Sequence, residues 1–280
     1  MTHPSSAGLN APSPFDQQQG IPGVKHIIAI SSGKGGVGKS TVATNLAMAL
    51  AKSNLKANLK IGLLDADIYG PSLPRMMGAI SQKPEVSAQG KIQPLQRYGL
   101  KLMSIGFLIE EGSAVVWRGP MLFKVLEQFL RDVEWGELDY LVIDLPPGTG
   151  DIQLSLSQKL PLSGAVIVTT PQNVAFIDAR KAIDMWNRVN VPILGIVENM
   201  SHMITPNGER IQLFPKGDLD SYLDSKKLTK LGQIPFNPSV ALCSEAGIPI
   251  VESNINCTES LAFLKIAEII QKIDLGPDLN

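Results

Sequence analysis

Cysteine is scarce: Cys243 and Cys257 are the only two in 280 residues. Two thiols make no disulfide framework and suit a reducing compartment, the cytoplasm. Neither stands in a C-x-x-C. Charge imbalance is missing too, with 25 Lys and Arg against 26 Asp and Glu and a formal net charge of −1. No basic field therefore calls for nucleic acid. No run of about 18 apolar residues occurs, so no membrane span is expected. The N-terminus is polar and proline-rich, without an apolar signal core.

What is present suits a globular α/β chain. Hydrophobic residues make up 44%, with 25 Gly and 20 Pro, and the length allows one α/β domain or two small ones. Residues 1–23 carry Pro, Ser and Gln with few large apolar side chains, which predicts a flexible polar tail ahead of one domain over 24–280. Apolar runs predict strands near 26–31, 61–64, 92–96, 100–105, 140–144, 165–170, 193–197 and 228–234. Helical periodicity predicts helices at 40–52, 73–77, 121–133, 151–160, 174–189, 238–246 and 259–273. Residues 199–217 read as irregular. The strands are apolar on both faces and alternate with helices. That pattern predicts a mostly parallel sheet of about seven strands with helices on both faces. The last helix carries Leu261, Leu264, Ile266, Ile269, Ile270 and Ile273. Its balanced polar face favours core packing over a membrane surface.

The stretch that organises the chain is Gly33-Lys34-Gly35-Gly36-Val37-Gly38-Lys39-Ser40-Thr41. Gly33, Gly38, Lys39 and Ser40 meet the frame G-x-x-x-x-G-K-[ST] between a strand and a helix. The glycines let several backbone N–H groups turn toward one anion, and the helix that follows adds its positive end. Lys39 would reach the β- and γ-phosphates of ATP, and the Ser40 hydroxyl would hold Mg²⁺. Asp144 closes an apolar strand and is a candidate for the Mg²⁺ shell. Asp65 and Asp67 end another strand; one would touch the metal shell and the other would orient the attacking water. Loop solvation or helix capping is the plain alternative for that pair. Pro146-Pro147-Gly148-Thr149-Gly150 is a stiff segment with glycine joints, suited to a switch that reads the γ-phosphate through a backbone N–H. Lys34 lies too early in the loop to share the position of Lys39. It can add charge to the transition state if it reaches across a dimer, as an arginine finger does elsewhere.

The loop at 33–41 resembles the deviant phosphate loop of the MinD/ParA class of ATPases. Leu64-Asp65-Ala66-Asp67-Ile68-Tyr69-Gly70-Pro71-Ser72, Trp117-Arg118-Gly119-Pro120-Met121, Asp144-Leu145-Pro146-Pro147-Gly148-Thr149-Gly150 and Glu198-Asn199-Met200-Ser201 resemble its Mrp/ApbC branch. The resemblance runs from about residue 20 to 273. It implies a homodimeric ATPase that carries an iron–sulfur cluster to apo-proteins. It makes Lys34 the lysine that crosses the dimer and Asp67 the carboxylate of the attacking water. It places Ser40, Asp65 and Asp144 around Mg²⁺, makes Asn199 the residue that recognises adenine, and sets the backbone of Pro235 to Asn237 around the base.

Two departures qualify what the resemblance implies. Most Mrp-type carriers have a C-x-x-C after Glu-Asn-Met-Ser, from which two chains hold a [4Fe–4S] cluster through thiolates. Here the segment reads His202-Met203-Ile204-Thr205-Pro206-Asn207-Gly208-Glu209, with Thr205 about where the first cysteine would stand. Cys243, among Val240, Leu242 and Ala246, reads as a buried inert thiol. Many bacterial relatives also have a small domain before the ATPase, where this chain has the short polar tail. The function expected is an ATPase of iron–sulfur assembly or transfer, with slow, partner-stimulated turnover. A positioning ATPase of the MinD/ParA kind without a cluster, or a nucleotide-dependent scaffold, are the alternatives.

Overall fold

Eight strands form one sheet, from one edge to the other β10 (Lys230–Gln233), β7 (Ile193–Glu198), β6 (Gly164–Thr169), β1 (Val24–Ser32), β5 (Leu138–Asp144), β2 (Ile61–Asp65), β4 (Leu100–Ser104) and β3 (Leu95–Arg97). The computed structural model describes residues 18–53, 55, 58–108 and 119–279. Seven of the strands run parallel, as the apolar runs predict; β3 adds an antiparallel edge against β4. A separate two-stranded hairpin pairs β8 (Met203–Ile204) with β9 (Arg210–Ile211), inside the stretch that reads as irregular.

Helices cover both faces because neighbouring residues of each strand point to opposite sides. Ile28 and Ile30 of β1 pack with α1 (Lys39–Lys52), α2 (Leu73–Met76), α8 (Ile250–Ser253) and α9 (Thr258–Lys272). Ile27 and Ala29 pack on the other side with α3 (Gly119–Arg131), α4 (Asp151–Lys159), α5 (Asn173–Arg188) and α6 (Leu219–Lys226). Phe263, Ile266, Ala267 and Ile270 of α9 are buried on the sheet, so this helix is core. By contrast, α7 (Pro238–Glu245) buries none of its residues, and Cys243 within it is half-buried rather than enclosed.

Residues 1–17 of the expected tail, and Trp117-Arg118 of the family-like motif, lie outside the described residues. From residue 18 the chain is already packed, ahead of the boundary expected at 24. The Gln19 N–H donates to the Lys159 carbonyl at 3.1 Å, Arg131 reaches the Gly20 carbonyl at 2.9 Å, and Ile21 is buried.

The parallel register sets the site. Asp65 lies opposite Asp144 on one side and Ser104 on the other, while Ile30 lies opposite Asp144. The carboxyl ends of β1, β2, β4 and β5 therefore finish level, where ligands bind in such sheets. No helix among the described residues is long and apolar enough to cross a membrane.

Candidate functional site

The phosphate loop leaves β1 at Ser32 and enters α1 at Lys39. Gly36 and Gly38 both have φ of 80°, a left-handed conformation that a glycine takes at no steric cost. The other constraint is space. A Cβ on Gly33 would overlap the backbone of Asp178 in α5, and one on Gly38 would overlap the side-chain amide of Asn199. Asn45 fastens the start of α1: its amide donates to the Thr41 carbonyl at 3.0 Å and its carbonyl accepts from Val251 N–H at 3.2 Å.

Lys39 is 6% exposed and points down at the strand ends. Its ammonium lies 2.6 Å from Asp144 Oδ1, 3.5 Å from Asp67 Oδ2 and 3.3 Å from Ser40 Oγ. Lysine, serine and two of the three expected carboxylates thus converge. Burial pushes the carboxyls of Asp144 and Asp67 up, against the opposing pull of Lys39. The ammonium is what makes the buried Asp144 and the half-buried Asp67 tolerable there.

Asp65 has a different position. Its Oδ1 accepts from Asp67 N–H at 3.0 Å, and its Oδ2 accepts from Ser72 N–H, Leu73 N–H and the Ser104 hydroxyl at 3.1, 3.2 and 3.0 Å. It is an anchor for the 66–73 loop and the start of α2, which is the capping alternative. Burial, then the nearby Asp144, push its carboxyl up to about 7. Ser104, the partner that sequence reasoning missed, carries no motif; only the register of β4 beside β2 brings it in.

The 144–150 segment wraps the outside of the loop. Gly148, at φ 93°, donates its N–H to the Ser32 carbonyl at 2.8 Å. Gln153 of α4 is 1% exposed and donates its amide to the Pro146 carbonyl at 2.7 Å and the Gly148 carbonyl at 3.2 Å. Gln153 also escaped the sequence reading, since a glutamine in a first helical turn has many uses.

Asn199, 6% exposed, donates its amide to the Val37 carbonyl at 2.9 Å and so supports the loop from below. Its backbone N–H continues the ladder to the Thr169 carbonyl at 2.8 Å. Residues 235–237 sit beside it: Phe236 N–H donates to the His202 carbonyl at 2.6 Å, and Asn237 caps α7 by accepting from Ser239 N–H. Lys34 is half-exposed at the mouth of the loop, and its ammonium has no ion-pair partner among the described residues.

The oxygen donors of Ser40 and Asp144 fit Mg²⁺, which takes few protein ligands and fills its octahedron from phosphates and water. Consistent with that, no group of three or more His, Cys, Asp or Glu among the described residues could hold a metal ion alone. The 202–211 segment does not fit an iron–sulfur cluster. It is a closed hairpin in which Thr205 Oγ1 accepts from Glu209 N–H at 3.0 Å. Arg210 lies against His202 Nδ1 at the start of the same segment and clips it to the body through Gln233 Oε1, both at 3.0 Å.

A glycine-built anion cradle at the carboxyl edge of a parallel sheet, with a buried lysine and strand-end carboxylates beneath it, defines a P-loop nucleoside triphosphatase. The model of the ParA family, the NUBPL iron-transfer P-loop NTPases, matches residues 23–271, and the chain belongs to that family. An iron-sulfur cluster carrier protein of Aquifex aeolicus is 48% identical over 262 residues, spanning 93% of this chain and 71% of its own length. The iron-sulfur cluster transfer protein NUBPL of Mus musculus is 46% identical over 264 residues, spanning 94% and 82%. A nucleotide-binding protein from Archaeoglobus fulgidus, solved in complex with ADP, superposes with a TM-score of 0.70 at 41% identity, covering 81% of this chain and 88% of that one.

Proposed function

We propose that this protein is a homodimeric ATPase that binds ATP and Mg²⁺ at the 33–41 loop and works in iron–sulfur cluster assembly or transfer. The observation that carries the nucleotide reading is Lys39, held by Asp144 and Asp67 directly under the loop. A lysine kept buried by two acids and a hydroxyl is an expensive arrangement for a resting fold. It makes sense where the same ammonium exchanges those acids for phosphate oxygens. The names of the relatives favour cluster work over a positioning role.

The residues divide the task as follows. Backbone N–H groups of 35–41 cradle the phosphates, and Lys39 turns from Asp144 to the β- and γ-phosphates. Ser40 and Asp144 hold Mg²⁺, which when bound neutralises charge on the phosphate oxygens. Asp67 orients the attacking water, and Asp65 keeps the Asp67 loop in place through the 67 N–H. Lys34 lends its charge to the nucleotide of the facing copy. Asn199 and the 235–237 backbone frame the base. Catalysis by positioning alone is slow, so turnover rises with a partner.

Two variants test this. Lys39→Ala is expected to abolish ATP binding in calorimetry. Lys34→Ala is expected to bind ATP within a fewfold of wild type while its turnover falls about 10³-fold, the scale of a lost charge finger. Wild-type turnover in Lys34→Ala would rule out the cross-dimer role.

A further inference from the structure

The hydrogen bonds around Gly148 divide the switch segment in an uneven way. Gln153 donates to the carbonyls of Pro146 and Gly148, which belong to the 146–147 and 148–149 peptides. The peptide between them, 147–148, is untouched by Gln153. Its N–H, on Gly148, points back at the Ser32 carbonyl at 2.8 Å, at the threshold of the phosphate loop. Proline rings lock φ at both 146 and 147. What remains soft is ψ of Pro147 and φ of Gly148, the two torsions that bound the free peptide. Gly148 sits at φ 93°, and a Cβ built there meets nothing within 4 Å.

We infer that Gln153 is a positioning residue that clamps the two flanking peptides, so that the segment answers the γ-phosphate by turning the single 147–148 peptide. The Gly148 N–H trades the Ser32 carbonyl for a γ-phosphate oxygen, while the rest of the loop stays where α4 holds it. A single peptide rotation orders little new chain and sets the donor in one geometry. Without the clamp the loop would sample several arrangements, and the donor would reach the phosphate only in some. Gln153 is buried and joins the first turn of α4 to both ends of the bend, so the motion has a fixed frame. The inference deepens the ATPase reading and rests on it.

The test compares ADP with a non-hydrolysable ATP analogue, because only the analogue carries the third phosphate. Gln153→Met keeps the length and apolar bulk of the side chain and removes both donors. ADP affinity is expected to stay within about twofold, while analogue affinity falls about fivefold and kcat about tenfold with little change in KM. Gly148→Ala adds a methyl into open space but penalises the resting φ of 93°, so it is expected to move the ratio of analogue to ADP affinity away from that of wild type. A parallel loss of ADP and analogue binding, or wild-type ratios in Gln153→Met or Gly148→Ala, would overturn the hinge while leaving the ATPase intact. Wild-type protein that neither hydrolyses ATP nor distinguishes the analogue from ADP would overturn both readings.

Discussion

Gly33, Gly36 and Gly38 are glycines for different reasons. Gly36 needs only its left-handed φ, since a Cβ there meets nothing within 4 Å. Gly33 needs only space, because α5 approaches at Asp178. Gly38 needs both, with Asn199 against it. Backbone cannot yield as a flexible side chain does. Gly36→Ala is therefore expected to lower the stability of the nucleotide-free protein by about 1 kcal/mol, the cost of one left-handed residue. Gly33→Ala is expected to cost about 3 kcal/mol or more, because the start of α5 must move. Urea unfolding of the two variants checks the ranking; equal midpoints would contradict it. The phosphate loop was legible in the sequence for this same reason, since Gly33, Gly36 and Gly38 each answer a constraint of space or φ that few other residues meet. Asp65 was less legible. A carboxylate at a strand end reads the same whether it faces a metal or caps a helix. Only the register of β2 with β4 reveals the four donors that occupy it.

At the scale of elements, the long buried strands were readable and the thin ones were not. β1, β2, β5, β6 and β7 are apolar on both faces and appear within two residues of their expected bounds. α6 was missed because it buries only Leu219 and Leu223, too little for a period to show. α8 has four residues, and each strand of the hairpin has two. These short pieces are held by side chains from elsewhere, which local pattern cannot contain. His202 Nδ1 lies 3.0 Å from Arg210 and 2.8 Å from the Ser201 hydroxyl, so a protonated, positive imidazole would face the guanidinium that helps hold the hairpin. Burial first, then Arg210, lower the His202 pKa from its usual 6.5, against a smaller pull from Glu198. With the folded value depressed, the unfolded chain takes up its proton first. The stability contributed is full above about pH 6.5 and is lost as pH falls below it toward the folded value. His202→Asn, which cannot titrate, is expected to lose this segment of the acid limb. Melting curves taken from pH 7.5 down to 5 check it; an unchanged slope in the variant would contradict the clip.

For the whole molecule, the carboxyl edge of the sheet carries the phosphate loop with half-exposed Lys34, the exposed Tyr69 and the 147–150 bend. Cys243 is on α7, a surface helix, and Cys257 caps α9, with its Sγ 3.2 Å from Ser260 Oγ. A cluster shared by two copies needs thiolates that converge across the rim, and the 202–211 hairpin that would bring them has none. Membership of an iron-transfer family and this ligand set are compatible if the thiolates come from the partner protein that gives or takes the cluster. Anaerobic incubation with iron and sulfide alone is then expected to leave this protein without a stable cluster absorbance, although ATP still dimerises it on a sizing column. The same mixture supplemented with an apo-protein client is expected to show cluster formation that depends on ATP. A cluster retained at one per dimer without a client, and lost in a Cys243→Ser/Cys257→Ser double variant, would place the ligands on this chain and overturn that division of labour. The double serine variant should keep wild-type ATP turnover in either case, because Lys39 is held by Asp144, Asp67 and Ser40, and the contacts of Cys257 Sγ are with Ser260. Turnover and cluster retention are thus read from the same preparation, and only the second decides where the iron is held.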